Sequence, residues 1–382
     1  MANQYQHLGI FSDWVEEAHK QHTLYPPAAP GAETQQRLRE SLGFTSQPEI
    51  PLDVRSEVTW ERDGILGEEL SWWVGYGPRT SAWLLKPVQS KGLLPAMLAL
   101  HDHGGFKFYG KEKISAGQAD PPTVLIDYQK TYYGGRAYAN VLAREGFVVL
   151  VHDTFLWGSR KFPLESMPDD LLAEVRASRT SWHSGEEMLV TPDEIAEYNA
   201  VANHHEHLIE KYCNLLGTTM AGVVSHEDRI AFNYLLSRPE VNNGQAGCLG
   251  LSGGGNRAAL MQATHDQVRA AVIVGLMSTY PALLDHNVFT HTWMFFPNGL
   301  ARWGDWPDIA ACRAPSPLMV QYDLQDDLFT EQGMRDAHAK ISRHYQDSGH
   351  PEAYIGQFYP GVHKFDLQMQ QAAFAWLKEK LQ

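Results

Sequence analysis

The residues that could do covalent chemistry in this chain gather around one serine. The stretch "CLGLSGGGNRAALMQA", from Cys248 to Ala263, sets Ser252 among Gly250, Gly253, Gly254 and Gly255, where an apolar run gives way to an alanine- and leucine-rich segment. Glycine is costly in regular structure unless the backbone must take a conformation or a close approach that other residues resist. Gly250-Leu251-Ser252-Gly253-Gly254 matches G-x-S-x-G, and strand, sharp turn and helix is the context in which that pattern means a nucleophile elbow. Out of that context it is a glycine-rich turn with an inert serine.

A serine hydroxyl attacks a carbonyl only when a base removes its proton. Two later strand ends supply candidates. "PLMVQYDLQDDLF" carries Asp323, Asp326 and Asp327, and "AYIGQFYPGVHKFD" carries His363. The order serine, acid, histidine points to Asp326 as the acid and His363 as the base. Asp323 and Asp327 compete for the acid's role, and Asp326 could instead cap the next helix. An earlier motif, "HDHGG" from His101 to Gly105, follows an apolar strand. Backbone N–H groups aimed at a developing oxyanion would come from Gly253 and from this loop, most simply from Gly105 or its neighbours.

These groups need a scaffold. From Glu57, "EVTWERDG", "ELSWWVGYG" and "SAWLLKP" alternate between apolar and polar residues and are bounded by Gly and Pro, which predicts antiparallel strands. Beyond them, apolar runs ("LPAMLAL", "FVVLVHD", "AGCLGLS", "AAVIVGLM", "PSPLMVQYD", "AYIGQFYP") alternate with helical segments ("GGRAYANVLAREG", "HEDRIAFNYLLSRPEV", "NRAALMQATH", "EQGMRDAHAKISRHYQDSG", "DLQMQQAAFAWLKEKL"). That alternation predicts an α/β fold: a mostly parallel central sheet with helices on both faces. Residues 1–56, with two helical stretches around "YPPAAPGA", read as an N-terminal helical arm on a catalytic body over 57–382. A helical cap insertion is expected at about 154–217, where Thr191, Pro192 and Glu194 form a capping-box signal. An aromatic-rich connection from Ser278 to Pro315 also follows a strand, so Trp293, Phe296 and Trp303 are expected on the pocket wall, at the carboxyl ends of the strands where open α/β sheets bind ligands.

Composition narrows the function. A 43% hydrophobic, 20% charged chain of 382 residues can bury a full core, and a net charge of -14 argues against a phosphate-tracking nucleic-acid binder. No basic segment followed by an apolar one opens the chain and no run is long enough to span a membrane, so neither a signal peptide nor a membrane partner is expected. Cys213, Cys248 and Cys312 are scattered and odd in number, which suits free thiols in a reducing cytoplasm. His101 with His103, and "HHEH" at His204 to His207, lack further ligands in metal spacing, so no metal and no cofactor are expected. Arg160 reads as a structural ion-pair residue.

Together "HDHGG", "GLSGGG", "YDLQDD" and "GVHKF" resemble the α/β-hydrolase superfamily, and most nearly its dienelactone-hydrolase-like and acetyl-xylan-esterase-like serine hydrolases. The resemblance covers about Glu57 to Gln382. It implies a cofactor-free Ser-His-Asp triad acting on a small or sugar-linked carboxylic ester, an acetyl ester or lactone first among these. Dienelactone hydrolases proper carry a cysteine nucleophile where this chain has Ser252, and the insertion is longer than a minimal member needs. Rival functions on the same fold are a serine peptidase, a C–C bond hydrolase or a binding protein that has lost catalysis. The sequence leaves homo-oligomerisation open.

Overall fold

A computed structural model describes residues 5–43, 48–90, 92–178 and 193–382. Helices α1 (Asp13–Gln21) and α2 (Ala32–Leu42) precede an antiparallel run of β1 (Leu52–Arg62), β2 (Ile65–Trp73) and β3 (Thr80–Pro87). Then come β4 (Leu94–Leu100), α3 (Thr123–Tyr132), α4 (Tyr138–Arg144) and β5 (Val148–His152). The inserted helices α5 (Asp169–Ser178) and α6 (Asp193–Leu215) follow, then α7 (Met220–Ser237), β6 (Val241–Leu251), α8 (Gly253–Thr264) and β7 (Ala270–Val274). The chain closes with α9 (Trp306–Ala310), β8 (Leu318–Asp323), α10 (Glu331–Asp347), β9 (Tyr354–Tyr359) and α11 (Leu367–Leu381).

The nine strands form one sheet in the order β1-β2-β3-β5-β4-β6-β7-β8-β9. From β5 to β9 every neighbouring pair is parallel, and β3 joins β5 antiparallel. Successive strand residues point to opposite faces, and the apolar strands divide accordingly. Leu98, Cys248, Ile273 and Val320 pack on one face with α2, α7, α8 and α10. Met97, Leu249, Val272 and Met319 pack on the other with α3, α4 and α11. Burial on both faces is why these strands read as unbroken apolar runs.

The first strand begins at Leu52, inside the segment expected to be arm. β1 is an edge strand exposed along most of its length, so its sequence shows little alternation to mark where it starts. A 3-10 turn at Lys111–Lys113 and helix α3 fill the segment between β4 and α4. Thr191 and Pro192 lie outside the described residues, while Glu194 sits in the first turn of α6. No helix among the described residues is long and apolar enough to cross a membrane.

Candidate active site

Strand β6 ends at Leu251, and its neighbours fix where Ser252 stands. Leu251 pairs with Val274 of β7, and the Ser252 N–H donates to the Val274 carbonyl at 2.9 Å. Ser252 has φ 57° and ψ -122°, a left-handed conformation that a side chain rarely adopts. The two glycines that follow are needed for close approach. A Cβ at Gly254 would press into the Leu100 carbonyl of β4, and one at Gly253 would stand 2.6 Å from the His103 nitrogen. The elbow and the "HDHGG" loop are therefore in backbone contact.

His363, on the loop after β9, places its Nδ1 2.6 Å from Asp326 Oδ2, and the second oxygen of Asp326 accepts the Leu328 N–H at 2.9 Å. A proton on Nδ1 leaves Nε2 free to act as a base. Burial disfavours the charged ring. The hydrogen bond and charge of Asp326, helped by Asp323 and Asp102, outweigh it, and the net effect holds the His363 pKa above the usual histidine value. Asp327 is exposed, and its carbonyl, not its carboxylate, accepts from His286 and Asn287. Asp323 is buried, takes the Lys364 N–H at 3.1 Å, and is pushed by burial up to about 7. Of the three expected carboxylates, only Asp326 bonds the histidine.

Ser252, Gly253 and His363 line one cavity of about 180 Å³ with Asp102, His103, Gly105, Tyr128, Thr290, His291 and Leu328. No hydrogen bond joins Ser252 to His363, whose bonded side-chain partner is Asp326. The Gly105 N–H donates to His103 Nδ1 at 3.0 Å, which corrects the expectation that it faces an oxyanion. The amides of His103 and Gly253, the close pair named above, make no hydrogen bond to a protein acceptor among the described residues. The early loop supplies a free amide, two residues before Gly105.

Trp293, Phe296 and Trp303 do not line this cavity, a second correction. Trp293 bonds His207 through its indole at 2.8 Å, Phe296 stacks on Tyr280, and Trp303 bonds Ser41 of α2 at 3.2 Å. The connection reaches the site earlier, through Thr290, His291 and Thr292, and its large rings anchor it to the body behind. A side hollow of about 260 Å³ continues the cavity past His103 and is lined by Asn203, His204, His207 and the same threonines.

Sequence reasoning missed Glu206. It lies inside "HHEH", beside exposed His204 and His207, yet it is buried. Its carboxylate bonds His103 Nε2 at 2.7 Å, Lys107 at 2.5 Å, the Thr292 hydroxyl at 2.8 Å and the Trp293 N–H at 3.1 Å. It thereby ties the inserted helix α6 to both loops of the site. Because His103 Nδ1 accepts from Gly105, Nε2 carries the proton given to Glu206, and burial keeps this ring neutral by lowering its pKa. The helical spacing of Ala202 and Glu206 with Ile209 and Cys213 is the signal that could have marked Glu206 as inward-facing. Arg160 is a buried structural partner of Glu227, at 2.5 Å.

Asp323, Asp326 and His363 are the described residues close enough together to suggest a metal site. The Asp326–His363 separation of 2.6 Å fits a hydrogen bond. Two ligands of a tetrahedral ion held at about 2.0–2.1 Å would stand roughly 3.3 Å apart. The geometry favours acid and base over ligands.

Comparison with known proteins agrees with the fold. Residues 229–293, which include the elbow, match the family model "BAAT / Acyl-CoA thioester hydrolase C terminal". The YtaP protein of Bacillus subtilis (strain 168), named provisionally as a hydrolase, is 22% identical over 305 residues, covering 80% of this chain and 84% of that protein. Among solved structures, the glucuronoyl esterase from Solibacter usitatus superposes with a TM-score of 0.60 at 11% identity, covering 92% of each chain. Acetyl xylan esterase 1 from Thermoanaerobacterium sp. JW/SL YS485 gives 0.54 at 14% identity, covering 96% of this chain and 98% of that one. Methylesterase BT1017 gives 0.59 at 17% identity, covering 90% of this chain but only 62% of its own. Parallel sheet, elbow and these likenesses agree: the chain is an α/β-hydrolase by fold.

Proposed function

We propose that the protein is a serine hydrolase of the carboxylesterase type, acting on a small acyl group carried by a polar, sugar-like alcohol. The observation that carries this reading is the His363–Asp326 bond of 2.6 Å in the same cavity wall as an elbow serine of left-handed φ. In the proposed cycle His363 Nε2 takes the Ser252 proton as Oγ attacks the ester carbonyl. The carbonyl oxygen becomes an oxyanion facing the amides of His103 and Gly253. Collapse expels the alcohol, which takes the proton back from His363, and water repeats the steps to free the acid. Every step is met by the chain's own groups, so no added cofactor is called for.

The cavity volume supports a small acyl group. The polar lining of the adjoining hollow, with Asn203, His204, Thr290 and Thr292, supports a hydroxyl-rich alcohol. The esterase names of the superposed structures point the same way. The match to a thioester-hydrolase model argues for including thioesters among the acyl donors tested.

The test is a substrate panel, run after dialysis against a chelator: acetylated sugars, simple acetates, a lactone, a thioester and an amide. Acetylated sugars are expected to show the highest kcat/KM, and chelation to leave it unchanged. Turnover of the amide alone, or activity lost on chelation and restored by zinc, would overturn this assignment.

A further inference from the structure

The peptide between Asp102 and His103 is gripped on its carbonyl side. The Asp102 carbonyl accepts from the Lys113 ammonium and, at 3.0 Å, from His101 Nδ1, so both of its lone pairs are used. In a trans peptide the C=O and N–H lie on opposite edges. With the carbonyl turned to Lys113, the His103 N–H is turned away from it, and Gly253 lies close against the His103 nitrogen. Lys113 comes from the 3-10 turn Lys111–Lys113 and is completely buried. It also reaches Asp102 Oδ2 at 3.2 Å and the His103 carbonyl at 3.3 Å. Burying an ammonium is unfavourable unless its partners compensate, and its hydrogen-bond partners here are all groups of this one loop.

We propose that Lys113 is a positioning residue for the oxyanion. Resting on the reading of Ser252 as nucleophile, the inference is that Lys113 fixes the plane of the Asp102–His103 peptide and polarises it. As the oxyanion forms, a row of hydrogen bonds runs from the ammonium to the carbonyl, through the peptide, and from the His103 N–H to the oxygen. Each bond in such a row strengthens the next. The Asp102 carboxylate, held also by the Tyr128 and Tyr133 hydroxyls, balances the ammonium without occupying the carbonyl.

A purely structural Lys113 would pair with Asp102 and do nothing for the transition state, and the two roles separate experimentally. In Lys113→Met, kcat on an acetate ester is expected to fall roughly 10- to 100-fold with KM within about threefold, since the affected amide matters most when the oxyanion exists. The inhibition constant of a boronic acid, which forms a tetrahedral adduct on serine, should rise by a similar factor. Tyr133→Phe removes a donor to the Asp102 carboxylate but none to its carbonyl. It should lower the melting temperature and leave kcat within about twofold. If Lys113→Met does not fold, Lys113→Met/Asp102→Asn removes the buried pair as a unit and is held to the same kcat and boronate values. Wild-type kcat with an unchanged boronate constant in either folded variant overturns the inference, as does an equal kcat loss in Tyr133→Phe. Ser252→Ala distinguishes the underlying reading. If that variant is inactive while Lys113→Met is fully active, only the role of Lys113 fails; if it stays active, the nucleophile assignment fails.

Discussion

The two ends of the proposed site are built on opposite electrostatic plans. At the acid–base end, His363 and Asp323 are groups whose environments move them toward titration near neutral pH. Burial disfavours the His363 cation, yet the Asp326 carboxylate more than compensates and raises its pKa, and burial brings Asp323 up to about 7. At the oxyanion end burial lowers the pKa of the Lys113 ammonium to about 8 and that of Lys107 below its usual value, while the rings and carboxylates around them are pushed away from neutral titration. Burial keeps the His101 and His103 rings neutral. Burial also works against the Asp102 and Glu206 carboxylates, but Lys113 and Lys107 beside them hold both ionised, below their usual range. A general base must exchange a proton in every cycle, whereas an amide donor must only stay where it is. The difference teaches where each kind of buried charge belongs: a histidine raised by its carboxylate where protons move, and buried lysine–carboxylate pairs where a loop must be held in place.

The comparison breaks first at the acid. Asp326→Asn leaves the shape but removes the charge that orients and stabilises the His363 cation, and kcat should fall about 10⁴-fold. Asp327→Asn, on an exposed side chain that does not touch the ring, should stay within about threefold. Steady-state kinetics on one acetate ester checks both; a crippled Asp327→Asn beside a healthy Asp326→Asn would move the acid by one residue.

The oxyanion end should fail through stability. Arg257 donates to the Asp228 carboxylate at 2.7 Å and to the His101 carbonyl at 3.0 Å, and both side chains are buried. Arg257→Met removes the guanidinium from the buried Asp228 charge and leaves it the His152 ring at 3.0 Å, and a loss of about 3–5 kcal/mol is expected in denaturant unfolding. A change below about 1 kcal/mol would mean that the clamp is dispensable.

Sharper but smaller is the pH dependence. The base must be neutral to act and its pKa is raised, so kcat/KM should climb through a value above 6.5, the ordinary histidine figure. Asp323→Asn removes one of the charges raising it, so the rising limb should move to lower pH. An unmoved limb would remove Asp323 from the tuning. Smallest of all, Trp293→Ala, with a ring that is partly exposed and outside the cavity, should change stability by roughly 0.5 kcal/mol or less and kcat/KM by no more than about twofold. A tenfold loss of kcat/KM would return this tryptophan to the pocket wall.

The parallel half of the fold was legible because its strands are buried on both faces and its helices carry plain stop signals such as Gly146. The residues proposed as a triad were legible as candidates because a left-handed elbow demands glycine neighbours and because the other two follow strand ends. The oxyanion loop was half legible. "HDHGG" marks the place, but which amide is free depends on the Gly105–His103 bond, a three-dimensional fact. "FKFYGKEKIS" was not legible. It carries three lysines, yet Lys107, Lys111 and Lys113 are all buried against carboxylates that come mostly from distant parts of the chain, Glu206, Asp153 and Asp102. Local pattern registers charge; it cannot register that a partner has been folded against it. The aromatic connection misled in the reverse sense, because ring content signals burial without saying whether the ring faces substrate or core.

The central claim is that Ser252 is the nucleophile of a covalent acyl transfer, and its most direct test is to trap and locate the adduct. Wild-type protein treated with a fluorophosphonate should gain one equivalent of label on the peptide carrying Gly250 to Asn256. Ser252→Ala should fold with an unchanged far-ultraviolet spectrum, take no label and lose ester hydrolysis by about 10⁶-fold. Label on another residue, or ordinary turnover by the folded Ser252→Ala protein, would contradict the account.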